Sequence, residues 1–144
     1  MTAPVNDARD SLPCGAPQVN PETAEFWAGT KRGELLLSRC PHCGLVIWYP
    51  RAICPDCHGY PTEWITAAGT GTVYTFTVIR RAAPGLFADA APYVVAYVEL
   101  TEGPRMLTNI IGCDPGQVQV GSTVSVVFDD AGDTGAIPRF RLAG

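Results

Sequence analysis

The amino-acid sequence predicts a mostly β protein: a short N-terminal helix, a ribbon fastened by a metal ion, and a small five-stranded barrel. Three observations predict it. Four of the six cysteines fall in two CxxC pairs, Cys40/Cys43 and Cys54/Cys57. From Trp64 onward the chain is a series of β-rich runs broken by Gly, Pro and Asp. Helix signals occur in one stretch, ahead of the first cysteine. The expected division is an arm over 1–20, the helix and ribbon over 21–63, and the barrel over 64–144.

The first twenty residues, MTAPVNDARDSLPCGAPQVN, have neither a basic start nor an apolar core, so they are not a secretory signal. Their Pro, Asp, Asn and Gly content predicts a poorly ordered arm. No apolar run approaches the roughly 20 residues that span a membrane. The expected compartment is the cytoplasm, where six cysteines stay reduced.

The stretch NPETAEFWAGTKRGE predicts the helix. Asn20 caps it, Pro21 suits its first turn, and Glu22 and Glu25 complement the positive end of its dipole. Gly29 or Gly33 ends it. Its largest apolar groups, Phe26 and Trp27, either pack inward or anchor a partner, because aromatics serve both cores and interface hot spots. ELLLSR and LVIWYP flank the first cysteine pair as two short strands. Turn chemistry in GYPTE, residues 59–63, marks the boundary with the barrel. Five strands follow, in GTVYTFTVIRR, YVVAYVEL, MLTNIIG, STVSVVFDD and IPRFRLA. Alternation is visible from Val73 to Val78 and from Thr123 to Phe128.

The cysteine pairs are separated by ten residues. Four thiolates in two tight turns meet the tetrahedral demand of Zn²⁺, at a metal–sulfur distance of roughly 2.3 Å. Gly44 and Gly59 give the turns flexibility and Pro41 and Pro55 stiffen them. Iron in the same sulfur set would make an electron carrier, and softness alone does not separate the two metals. Disulfides do not suit a reducing compartment. A thioredoxin-like centre would carry one CxxC on a βαβ unit. Four sulfurs close the coordination shell, so the ion is structural, and His42 and His58 beside it are surplus donors. Cys14 and Cys113 lie outside the set, with Cys113 expected to be buried.

Ten basic residues against fourteen acids give a formal charge of −4, which argues against a general polyanion binder. Six basic residues between Phe26 and Arg81, against Glu34, Asp56 and Glu63, suffice for a phosphate-bearing small molecule. The barrel offers no nucleophile–base pair, because both histidines sit at the metal. Glu99 and Glu102 bracket a turn, and Asp129 and Asp130 start another, as solvated loop charges. AAGTGTVY lacks the lysine and helix of a P-loop.

EFW, then RGELLLSRCPHCG, YPRAICPDCHG, a Trp, GTGTVYTFTVIRR, PYVVAYVEL and VGSTVSVVF occur in the order seen in one family. From Pro21 to Leu142 the chain resembles the rubredoxin-like zinc-ribbon and OB-fold proteins called the domain of unknown function 35 family. The resemblance implies a non-catalytic partner of thiolase-superfamily enzymes, thiolase-like aldolases or hydratases that act on acyl-CoA thioesters. Some members serve steroid side-chain degradation. It implies a hetero-oligomer, one structural zinc and acyl-CoA as a ligand, with no membrane or nucleic-acid partner.

An OB barrel binds through one sheet face and its strand 1–2 and 4–5 loops. The first such loop is RRAAPGLFADAAPY. Arg80 and Arg81 at its start suit phosphates, and Phe87 and Tyr93 suit an adenine ring. The second, DDAGDTGAIPRF, is acidic at first and admits phosphate only if Arg139 and Arg141 dominate its far side. Phe26 and Trp27, with one face of the ribbon, are the expected partner contact. Two alternatives stand beside this reading. One is a single-strand nucleic-acid module using Tyr74, Phe76, Tyr93 and Tyr97, which the acidic C-terminal half disfavours. The other is a rubredoxin-type iron carrier.

Overall fold

A computed structural model describes residues 10–143. The start of the predicted arm, residues 1–9, lies outside them. Among the described residues no helix is long and apolar enough to cross a membrane.

Helix α1 spans Ala24–Lys31. It begins later than the capping signals predict. Asn20 does cap, but a preceding turn: its Oδ1 accepts from the amides of Glu22 and Thr23, each at 3.0 Å. Gly33, not Gly29, ends the helix, with φ +78°. Gly29 lies inside it for another reason. A Cβ there would sit 2.8 Å from Leu36 Cδ1, so the missing side chain lets the helix lie flat on the next strand.

The ribbon is a three-stranded antiparallel sheet in the order β2-β1-β3: β1 Leu36–Arg39, β2 Val46–Ile47 and β3 Glu63–Thr66. Sequence patterning misses β3, which is four residues long and half exposed. Leu37 pairs with Ile65 and Ser38 with Trp64. The first strand after the cysteines therefore crosses the expected boundary at Trp64 and completes the ribbon sheet.

The five barrel strands are β4 Thr70–Ile79, β5 Tyr93–Leu100, β6 Arg105–Ile111, β7 Thr123–Asp130 and β8 Ala136–Leu142. They close in the order β4-β5-β6-β8-β7, with β6 and β8 parallel and every other pairing antiparallel. Closure removes the unpaired strand edges that invite aggregation. The alternation read in β4 breaks at one point. A bulge between Val73 and Thr75 puts Tyr74 and Thr75 on the outer surface in succession, and Phe76 and Val78 then turn inward.

One core runs through the molecule. Phe26 of α1, Leu35 to Leu37 of the ribbon, and Val73, Val98, Met106 and Phe140 of the barrel all belong to it. Phe26 is 0% exposed and meets the rings of Trp27, Trp48 and Tyr49 at 4.9, 5.2 and 6.1 Å. It is the joint between helix, ribbon and barrel, and so cannot be the exposed anchor expected of it. Thr30 Oγ1 accepts from the Ala136 amide at 2.9 Å, and Lys31 pairs with Asp130 at 2.8 Å, tying α1 to the barrel.

The predicted loose arm is corrected from Asp10 onward. Leu12 is 6% exposed. Arg139, 3% exposed, donates to the Leu12 carbonyl at 2.6 Å, the Pro13 carbonyl at 2.9 Å and Asp129 Oδ2 at 2.5 Å. Cys14 Sγ donates to the Asp130 carbonyl at 3.2 Å. Asp129 and Asp130 thus end β7 as bonded groups and are not free loop charges. Arg139 is buried as a clamp through both terminal nitrogens and is closed to phosphate.

Candidate metal centre and barrel face

Two short turns carry the cysteines, built alike. In the first, the Cys40 amide donates to the Leu45 carbonyl at 2.9 Å and the Gly44 amide to the Cys40 carbonyl at 2.8 Å. In the second, the Cys54 amide donates to the Gly59 carbonyl at 2.9 Å and the His58 amide to the Cys54 carbonyl at 3.0 Å. Gly44 and His58 occupy the equivalent left-handed position, at φ +80° and +64°. Histidine is among the few residues other than glycine that tolerate it. A Cβ on Gly59 would meet the His42 ring at 2.5 Å, so the two turns press together through His42. Both histidines hold turn positions and neither belongs to the sulfur cluster.

All four sulfurs lie within 4.8 Å of one another. Cys40 and Cys57 are 3.5 Å apart, and Cys43 and Cys54 are 3.7 Å apart. Four sulfurs at roughly 2.3 Å from a common ion would be separated by about 3.8 Å. These two pairs stand close to the separation that a tetrahedral metal requires. Without an ion the thiols oppose one another. Hydrogen bonding from the Cys43 amide outweighs desolvation and brings Cys40 down to about 6. Cys43 is pushed up to about 12: the Leu45 amide favours its thiolate, but desolvation and the thiols of Cys54, Cys57 and Cys40 outweigh that amide. A divalent cation at the centre reverses the conflict by favouring every thiolate at once.

The predicted ligand-contact residues gather at one end of the barrel. The rings of Phe87 and Tyr93 meet at a tilt of 52°, with centroids 5.0 Å apart, and line a cleft of about 310 Å³ with Val95, Leu107 and Asn109. Arg80 and Arg81 are exposed at the start of the same loop. Cys113, expected to be buried, is half-buried beside a second cavity next to Gly112 and Leu142. Among the acids of the first turn, Glu99 pairs with Arg105 at 3.1 Å, and Glu102 accepts from the Ala68 amide at 2.8 Å. Sequence reading missed Tyr74, Arg105 and Leu107 as a group. The β-bulge that sets Tyr74 and Thr75 outward in succession leaves no mark in the residue types.

The ribbon and the barrel each match a known domain. Residues 27–59 match the ChsH2 rubredoxin-like zinc ribbon domain, and residues 64–129 match the ChsH2 C-terminal OB-fold domain. A DUF35 domain-containing scaffold protein of Methanocaldococcus jannaschii is 40% identical over 116 residues, covering 77% of this chain and 82% of that protein. The chain belongs to the DUF35 family. A probable enoyl-CoA hydratase alpha subunit of Thermomonospora curvata is 35% identical over 127 residues, which is 88% of this chain but 39% of that protein. This DUF35 chain thus spans well under half the length of that relative. Among solved structures, a chain of the Ltp2-ChsH2(DUF35) aldolase superposes with a TM-score of 0.78 at 34% identity, covering 89% of this chain and 99% of that one.

Proposed function

We propose that this DUF35 protein is a non-catalytic accessory subunit that binds and stabilises a thiolase-superfamily enzyme, a thiolase-like aldolase or a hydratase acting on acyl-CoA thioesters. The observation that carries the reading is the match of ribbon and barrel together, across 99% of its length, to one chain of an aldolase assembly. The chemistry of the site agrees. Four thiolates close a metal shell, and a closed shell holds structure rather than substrate. The ion is zinc, held by Cys40, Cys43, Cys54 and Cys57, and the protein works in the reducing cytoplasm where those thiols persist. Acyl-CoA contacts Arg80 and Arg81 through phosphate and the Phe87/Tyr93 pair through its adenine.

Affinity purification of the tagged protein from its own host tests the subunit assignment. A near-stoichiometric thiolase-fold, aldolase or hydratase chain is expected, together with one zinc per protein and no visible colour. A red preparation containing iron, or the protein alone at every salt concentration, would count against it. Titration of coenzyme A into the purified assembly tests the ligand assignment, with Arg80→Ala and Arg81→Ala expected to weaken binding.

A further inference from the structure

Phe26 of helix α1 is closed to a partner, because it is the joint of the core. The exposed apolar side chains cluster elsewhere. Tyr97 of β5 lies directly opposite Leu107 of β6, and Thr75 of β4 lies opposite Tyr97 from the other side. Residues paired across strands share a face, so these three stand in one outward row. Tyr97 is 44% exposed and Leu107 is 55% exposed.

The bulge in β4 extends the row. Tyr74 and Thr75 face outward in succession there, and Tyr74 is 48% exposed, with the Arg105 guanidinium over its ring at 3.7 Å. Glu99 holds that guanidinium at 3.1 Å. Beyond Leu107 the face continues into the cleft beneath Phe87 and Tyr93. There Asn109 Nδ2 donates to the Val94 carbonyl at 2.9 Å. Its Oδ1 is left as an acceptor in a cleft lined mainly by apolar side chains, with Thr108 and Tyr93. Leu86, 61% exposed, stands in the loop above.

We propose that this outer face of β4, β5 and β6, with its row of Tyr74, Tyr97 and Leu107, is the docking surface for the thiolase-fold subunit, and that the Phe87/Tyr93 cleft at its end is left to acyl-CoA. The proposal rests on the accessory-subunit reading. The composition is that of an interface centre: tyrosines and leucines inside, and an arginine ion pair and threonines around them. Leu86 and the loop around it extend the face toward the roughly 800 Å² that a stable interface takes from each partner. Charge selects the occupant. Arg80 and Arg81 project at the rim without an ion pair among the described residues, and Asp89 is the one acid in their loop. A second copy carries the same basic rim and offers these arginines no acidic one in return. The complementary surface is apolar with an acidic rim, on a different protein.

The test uses the full chain and the thiolase-fold subunit that the wild-type protein retains from its host, produced together and measured by titration. Leu107→Glu and Tyr97→Glu are expected to weaken binding at least tenfold. Arg80→Glu with Arg81→Glu is expected to weaken it about tenfold, with the salt dependence reduced. Tyr60→Glu, on an exposed ribbon residue away from this face, should bind as wild type. Zinc content and melting temperature confirm that each variant is folded. Hydroxyl-radical footprinting of the wild-type complex adds a readout free of mutation, with Tyr74 and Tyr97 protected. Folded face variants that bind normally, or tyrosines that stay fully reactive in the complex, overturn the proposal. So does a protein that forms homodimers through this face. A wild-type chain that retains no such enzyme instead defeats the accessory-subunit reading itself.

Discussion

Phe26 shows at the scale of one residue why burial decides a role that residue type leaves open. Its ring is enclosed by Trp27, Trp48 and Tyr49 and contributes to the core of both halves. Phe26→Ala should lower unfolding free energy by about 3–5 kcal/mol, read from urea denaturation. A loss of partner binding with unchanged stability would contradict a core role. Asp130 makes the opposite case. Lys31 hydrogen-bonds its carboxylate and holds it below the usual range, with the Gly132 amide helping. A depressed carboxyl pKa adds stability above the unfolded value, and that stability is lost as pH falls. Asp130→Asn should therefore be slightly less stable than wild type at neutral pH, with the difference vanishing on acidification below about pH 4. Because Asp130 is largely exposed and Lys31 partly so, the effect is small and salt-sensitive.

At the scale of elements, the ribbon sheet has three short strands, one of them only Val46–Ile47, and depends on its metal. Cys54→Ser should strip the ion and lose ribbon order while the closed barrel keeps its β signal in circular dichroism. Acidification should release metal in the same way, because each thiolate must stay deprotonated to bind, and neutralisation should restore it. A Cys54→Ser protein with a native melting curve would show that the core contacts of β1 alone hold the ribbon. The cysteine spacing made this element legible from residue types. Strand β3 was not legible, since Glu63–Thr66 is short, half exposed and without a strong alternation to mark it. Pairing with β1 supplies the order that its own composition lacks.

For the whole molecule, the clamp at Arg139 matters most. Its guanidinium gathers the carbonyls of Leu12 and Pro13 and the carboxylate of Asp129, binding the arm to the barrel. Breaking a buried pair leaves the other charge uncompensated. Arg139→Met should cost about 3–5 kcal/mol in chemical denaturation, and adding Asp129→Leu should recover much of it. Full additivity of the two losses would mean that the groups do not interact. Cleavage of the arm by a protease at residues 10–14 should become rapid in Arg139→Met and remain slow in wild type.

Residue types and their spacing determined the metal centre, the number of barrel strands and the family. These are local properties: a thiolate is a ligand wherever it is placed, and two turns of four residues bring four together. Tertiary structure alone decided what is buried and what faces outward. It made Phe26 a joint, enlisted the arm through Arg139, and set Tyr74, Tyr97 and Leu107 on one surface. The reason is physical. Burial and facing depend on which distant strand lies opposite and where a bulge shifts the register, and neither is written in any single residue.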